Sequence, residues 1–209
     1  MQIAIDGPAG SGKSTIAKIL AKNLEFKHID TGAYYRWVTY NALSENVNLQ
    51  DAAAVIQTAG QTDFAQIDES KIRSQAVTEN VSTVSAVPEV RRCVVARQRL
   101  AAQNSDIVME GRDIGSVVFP NAELKIFLTA SVEERARRRY QELLDKGERV
   151  DLAEIQKDII ERDRKDSTRQ ASPLRKVDDA VEIDTTGLTI EQVVEKITEI
   201  YNQACRKKI

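Results

Sequence analysis

The sequence predicts an α/β protein built on a parallel sheet with helices on both faces. Two observations carry this reading. Short apolar strands alternate with amphipathic helices from end to end, as a covered parallel sheet requires. Near the N-terminus, Gly7-Pro8-Ala9-Gly10-Ser11-Gly12-Lys13-Ser14-Thr15 fills every fixed position of the phosphate-loop pattern G-x-x-x-x-G-K-S/T. Glycines in such a loop let successive backbone N–H groups converge on one anion, and the following helix adds the positive end of its dipole. Lys13 is then expected to reach the outer phosphates of a nucleotide, and the Ser14 hydroxyl to hold a magnesium ion.

The elements follow in chain order. Gln2 to Asp6 reads as a short core strand, and from Ser14 onward Ile16, Ile19, Leu20 and Leu24 fall on one helical face, so the loop has the strand and helix it needs. Lys27 to Asp30 is the next candidate strand; after it Tyr34, Trp37 and Val38 mark the buried face of a helix. Asn46 to Asn80 is polar and only weakly periodic, which predicts an insertion over the sheet. Pro88 sits where a helix can begin, ahead of Val90 and Val94. Asp106 to Glu110 and Leu124 to Thr129 are candidate strands. A capping box, Ser131 with Glu134, opens a helix that stops near Gly147. Asp151 with Glu154 opens the next helix, Ala180 to Asp184 is the last strand, and Thr189 with Gln192 opens a final helix carrying Val193, Val194, Ile197, Ile200 and Tyr201.

With 209 residues, 42% of them hydrophobic, and no Pro- or Ser-rich linker, the chain is expected to form one domain with appendages. A net charge of -2, from 30 basic and 32 acidic residues, argues against bulk attraction to nucleic acid or membrane, so anion binding must be local. Cys93 and Cys205 lie far apart without metal-ligand spacing, which points to packing roles in a reducing compartment. No apolar run approaches membrane length, and Asp6 breaks the apolar N-terminal stretch, so a cytoplasmic protein is expected.

A phosphate loop says only that a nucleotide binds, and the arginines say more. Arg135, Arg138 and Arg139 recur at i, i+3 and i+4 on one helical face, with Arg137 beside them facing solvent; Arg162, Asp166 and Arg169 recur at i, i+4 and i+7 on the next helix. A solvated surface paired to Glu134, Glu142 and Asp158 is the plainer reading. Guanidinium groups near a phosphate loop also suit a phosphoryl group in flight, whose oxygens need fixed cations. Two clusters sit just past strand ends, where an open parallel sheet places ligands: Asp30-Thr31-Gly32-Ala33-Tyr34-Tyr35-Arg36 and Glu110-Gly111-Arg112-Asp113-Ile114-Gly115. In each an arginine can grip a phosphate; Asp113 can accept from an exocyclic amine, and Glu110 can position a metal's water shell. The lone His28 reads as a surface or packing residue outside the chemistry.

Taken with Glu134-Arg135-Ala136, Arg138-Arg139-Tyr140, Ser172-Pro173-Leu174 and Asp184-Thr185-Thr186-Gly187, these motifs closely resemble the bacterial cytidylate kinase family over nearly the whole chain. The resemblance implies the P-loop nucleoside monophosphate kinase fold: a five-stranded parallel sheet (core 1–45, 81–130 and 170–209), a monophosphate-binding insertion at about 46–80 and a helical lid at about 131–169. It also implies a monomeric enzyme that transfers the γ-phosphoryl group of ATP, with magnesium, to CMP or dCMP. By matching positions, Gly7 to Thr15 hold ATP and Ser14 the metal. Thr31, Arg36 and Arg112 belong to the monophosphate site, Ser82, Arg91 and Asp113 read cytosine, and Arg162, Asp166 and Arg169 hold phosphate and ribose. Lys13, Arg112, Arg135, Arg139 and Arg162 carry the catalytic charge, and Thr185 to Gly187 lie near the adenine pocket. Asp63 to Lys71 is shorter and more polar than the hairpin the family usually carries before the match to Ile72-Arg73, so a truncated hairpin is expected. Tyr34 stands where methionine is usual.

Other readings are weaker. An adenylate or shikimate kinase shares the loop. A GTPase-like switch could use Asp184-Thr185-Thr186-Gly187 as its D-x-x-G, yet no N-K-x-D follows. Asp30-Thr31-Gly32 mimics an aspartic protease signature, but a dyad needs a second copy or a β-rich dimer.

Overall fold

The computed structural model describes residues 1–206. A five-stranded parallel sheet runs in the order β2-β3-β1-β4-β5, with β1 Gln2–Asp6, β2 Lys27–Asp30, β3 Ile107–Gly111, β4 Leu124–Thr129 and β5 Val181–Asp184. Ile3 pairs with Val108 on one side and Leu124 on the other, so the first strand is central; Ile126 pairs with Val181 farther out. Strands with two covered faces need apolar residues at nearly every position. Ile3, Ala4, Ile5, Val108, Met109 and Leu128 are accordingly buried.

The helices are α1 Lys13–Leu24, α2 Thr31–Ser44, α3 Ala52–Gln61, α4 Gln75–Ala86, α5 Pro88–Ala101, α6 Val132–Asp145, α7 Leu152–Thr168 and α8 Ile190–Arg206. The chain divides into two compact units. Among the described residues the first comprises 1–29, 105–168 and 173–206, and the second 30–104 and 169–172. The stretch expected as an insertion, 46–80, thus sits inside a larger unit that takes in α2 and α5 as well.

In the first unit Ile16, Ala17 and Leu20 of α1 and Val193, Val194 and Ile197 of α8 pack on the sheet around Ile5, Ile126 and Leu128. Helices α6 and α7 form a satellite core of Ala136, Leu143, Ile155 and Ile159. In the second unit Tyr35 and Val38 meet Val55, Ala59, Val81, Val84, Val90 and Val94. A smaller cluster joins Ala33, Trp37 and Ile72; the Trp37 ring stacks on Tyr40 with centroids 5.2 Å apart, and its Nε1 donates to the Asp63 carbonyl at 2.9 Å. Residues 63–71, where a shortened hairpin is expected, hold a 3-10 turn at Phe64–Gln66 and no strand.

Helix starts follow the predicted caps, with two exceptions in detail, the first being Asp151, which accepts from the Ala153 and Glu154 amides at 2.8 and 3.0 Å without a return bond from the Glu154 side chain. Thr189 and Gln192 form the reciprocal box, Gln192 N donating to Thr189 Oγ1 at 3.3 Å and Thr189 N to Gln192 Oε1 at 2.9 Å. At Ser131 only half of the box forms: Glu134 N donates to Ser131 Oγ at 3.1 Å, while the Ser131 amide donates to Thr186 Oγ1 at 2.9 Å. With that amide satisfied, the Glu134 carboxylate turns to Arg137 and Arg138. Gly147, at φ 78°, closes α6 as expected, with Glu148 N donating to Leu143 O at 3.0 Å. No helix among the described residues is long and apolar enough to cross a membrane.

Candidate active site

The phosphate loop links the C-terminal end of the central strand to α1, the position where an open parallel sheet holds its ligands. Gly7 and Gly12 have φ of 152° and 89°, conformations that L side chains rarely adopt. Gly12 is also the residue that precedes α1, so no side chain caps its first turn and the amides there are available to an anion. The loop is braced from inside: Ser11 Oγ donates to the Pro8 carbonyl at 3.1 Å, and the Lys13 ammonium to the same carbonyl at 2.6 Å and to Ser11 Oγ at 3.3 Å. A glycine-rich turn, an open helix start and a buried lysine make a cradle that fits a nucleotide's phosphates.

Charges from the ends of β1 and β3 and from α7 surround Lys13. Burial, then the cation of Arg112, hold its amine well below the usual lysine range; Glu110 and Asp6 pull it back up, and Arg162 adds to the downward push. Both guanidinium groups thus act on Lys13 electrostatically. Arg112 Nε donates to Asp166 Oδ2 at 2.9 Å, which joins the end of β3 to α7. Asp113 is buried beside them and opens a single π turn over Ile114–Val118, closed by Phe119 N donating to Ile114 O at 2.7 Å. Asp6 accepts from the Ile114 and Gly115 amides at 2.8 and 2.7 Å and so anchors that turn to the central strand. Burial raises the Asp6 carboxyl to about 6, against those two amides.

Ser14 Oγ donates to Glu110 Oε2 at 2.6 Å, and the other carboxylate oxygen, Oε1, lies 3.1 Å from His28 Nε2. A hydroxyl and a carboxylate are hard oxygen donors of the kind magnesium takes, so the residues present fit that ion. His28, read from the sequence as a surface or packing residue, lies against Glu110, because the sheet order sets β2 beside β3. Nothing in the local sequence signals a contact made across 82 positions.

The α6 arginines divide their work. Arg135 is buried; its Nε donates to the Ala130 carbonyl at 3.0 Å, its Nη1 to the Ala9 carbonyl at 3.0 Å, and Nη1 pairs with Asp163 Oδ2 at 2.6 Å. Arg138 donates through Nη1 to Thr185 Oγ1 at 3.0 Å and through Nη2 to the Thr185 carbonyl at 2.7 Å. Arg139 pairs with Glu142 at 2.8 Å, and Arg137, exposed as expected, with Glu134. Asp163 and Thr185 were not picked out from sequence as partners of these cations; an acidic residue on a charged helix and a threonine in a turn look ordinary.

In the second unit Asp30 caps α2 by accepting from Ala33 N at 3.3 Å, and Thr31 follows, buried, its carbonyl accepting from Gln98 Nε2 at 3.4 Å. Arg36 Nη1 donates to Thr78 Oγ1 at 2.9 Å and to the Ile72 carbonyl at 3.2 Å. Arg91 is buried over the Tyr35 ring, 5.0 Å from its centroid, and donates to the Ser85 carbonyl at 3.1 Å; Ser82 lies half-buried one turn earlier on α4. The expected helical face of Arg162, Asp166 and Arg169 is corrected in its last member. Helix α7 ends at Thr168, and Arg169 Nε donates instead to the Ser172 carbonyl at 2.6 Å.

Comparison with known proteins identifies the family. The chain has 50% identity to the cytidylate kinase of Geobacillus sp. (strain WCH70), covering 97% of each chain. It has 50% identity to that of Carboxydothermus hydrogenoformans, covering 96% of each. Among solved structures, a gluconokinase from Sinorhizobium meliloti superposes with a TM-score of 0.50 at 14% identity, over 93% of this chain and 87% of the other, a likeness of fold alone. The family model for cytidylate kinase matches residues 3–203, and the chain belongs to that family.

Proposed function

We propose that this protein transfers the γ-phosphoryl group of ATP to CMP or dCMP, giving CDP or dCDP and ADP. The observation that carries the proposal is the family match over residues 3–203, supported by a phosphate loop whose lysine lies within the electrostatic reach of Arg112 and Arg162. No covalent intermediate is required, since positioning and charge neutralisation carry phosphoryl transfer. Gly7 to Thr15 bind the donor phosphates and Lys13 neutralises the group in transit. Ser14 would hold magnesium, with Glu110 placed to order the metal's water shell; the ion when bound would offset charge developing on the phosphates.

Acceptor roles are assigned unit by unit. In the first, Arg112 and Arg162 neutralise phosphate, Asp113 accepts from the cytosine amine, and Asp166 serves the ribose while fixing Arg112 through the 2.9 Å bond. In the second, Thr31, Arg36 and Arg169 serve the acceptor phosphate, and Ser82 and Arg91 the base. Arg135 and Arg139 are assigned to the donor side.

A coupled ADP-release assay across CMP, dCMP, UMP, AMP and shikimate tests the reading. CMP or dCMP should be the preferred acceptor, and Asp113→Ala or Arg91→Ala should erase the preference for cytosine. Preference for AMP or shikimate would defeat the assignment. Lys13→Ala should lower turnover by about 100-fold or more with the fold kept, and near-wild-type rates would exclude its role.

A further inference from the structure

We infer that His28 is a positioning residue for the metal-binding serine and acts through Glu110. The inference rests on the reading of Ser14 as a magnesium ligand and extends it to a residue outside the loop.

A serine hydroxyl has one proton and two lone pairs, and to ligate a cation it must direct a lone pair forward and its proton elsewhere. Here the proton has a destination, Glu110 Oε2 at 2.6 Å. That destination is useful only while the carboxylate keeps one orientation. Glu110 is 3% exposed, so bulk water does little to hold it. Lys13 attracts it electrostatically from the loop, a pull that alone would draw the carboxylate toward the ammonium. His28 Nε2, 3.1 Å from Oε1, takes hold of the other oxygen. A carboxylate can only accept, so the shared proton sits on the imidazole nitrogen.

With one oxygen tied to β2 and the other to α1, the carboxylate plane is fixed and the serine proton with it. Loss of the imidazole donor removes the tie from Glu110 Oε1 to β2, which loosens the carboxylate plane and with it the direction of the Ser14 proton. Partners one shell out from a ligand typically change metal affinity by about 10- to 100-fold, and a residue one step farther should act more weakly.

The test is magnesium linkage in nucleotide binding, read by calorimetry on the full-length protein. The ratio of the ADP dissociation constants in EDTA and in saturating magnesium reports the metal's share of binding without any turnover. His28→Leu and His28→Phe should shrink that ratio by about 3- to 10-fold with the EDTA constant unchanged. His28→Gln, whose amide nitrogen reaches the same place as Nε2, should stay within about twofold of wild type. An unchanged ratio in either non-donating variant would overturn the inference. So would equal losses in His28→Gln and His28→Leu, or a parallel loss of affinity in EDTA, either of which marks a general disturbance of the loop. Failure of the wild-type protein to phosphorylate CMP would instead count against the proposed activity, and would leave the linkage result to be judged separately.

Discussion

Replacing Gly7 with alanine sets a methyl carbon 2.0 Å from the Leu128 carbonyl oxygen, with the carbonyl carbon at 3.0 Å. That oxygen is main chain in β4, next to the strand that leads into the loop, so it cannot swing aside as a side-chain tip would. Two costs combine. A φ of 152° is poorly tolerated by an L residue, worth about 1–3 kcal/mol. Overlap with fixed backbone forces a shift of similar cost, about 1–3 kcal/mol. Together they give about 4 kcal/mol, which for a chain of this size lowers the melting temperature by roughly 8–16 °C. Gly12 is the control within the same loop. Its φ is 89°, but a Cβ there meets nothing nearer than Arg138 Nη1 at 3.8 Å, an ordinary contact. Gly12→Ala should therefore cost only the left-handed backbone term, about 1–2 kcal/mol, and about 2–8 °C. Thermal melting of both variants followed by circular dichroism decides the matter. Equal losses, or a Gly7→Ala protein melting within about 2 °C of wild type, would refute the claim that the β4 carbonyl sets the requirement for glycine.

Two further predictions concern buried charge. Because the Asp6 carboxyl is raised from 3.8 to about 6 in the folded protein, the native state keeps its proton where the unfolded chain has lost it, so its contribution falls as pH rises from about 4 to 6 and is level above that. Wild type should lose about 2 kcal/mol relative to Asp6→Asn between pH 4 and pH 7, measured by urea unfolding, and a pH-independent difference would refute the shift. Arg135→Ala strands the Asp163 carboxylate and the Ala9 and Ala130 carbonyls, and should cost about 3–5 kcal/mol. In an Asp163→Ala background the same change should cost about 1–3 kcal/mol less, and strict additivity would show that the two are not coupled.

Much of this was readable from the sequence, for identifiable reasons. The candidate strands fall within one residue of their observed limits, most plainly where a strand covered on both faces is a continuous apolar run, as in Ile107-Val108-Met109. The loop was legible because its chemistry fixes residue types at fixed spacing. Layer membership was not: the periodicity of Tyr35, Val38, Val90 and Val94 shows that α2 and α5 have buried faces, but not that those faces meet Val55 and Val81 rather than the sheet. The Ser131–Glu134 pair matched a capping box, yet Thr186, 55 positions later, took over one of its two bonds. Arg169 kept helical spacing past the point where the helix ends. The contact of His28 with Glu110 was not legible, since a single histidine between Lys27 and Ile29 has no pattern and gains that partner only through strand order.

Thr185, at the end of β5, closes the phosphate loop from behind. Its hydroxyl donates to the Ser11 carbonyl at 3.4 Å and to the Thr129 carbonyl at 3.0 Å, while Arg138 binds its oxygens from α6. Ser11 and Thr185 are 174 positions apart. A ribosome therefore makes the loop first and its last support late, and the central strand β1 must wait for both of its neighbours, β3 and β4, before it can be shielded from water. At about 5–20 residues per second that delay lasts on the order of ten seconds or more, during which an apolar strand with two open edges is exposed to any chaperone or stray β-edge nearby. The nascent chain should accordingly remain without nucleotide affinity until β5 has left the exit tunnel.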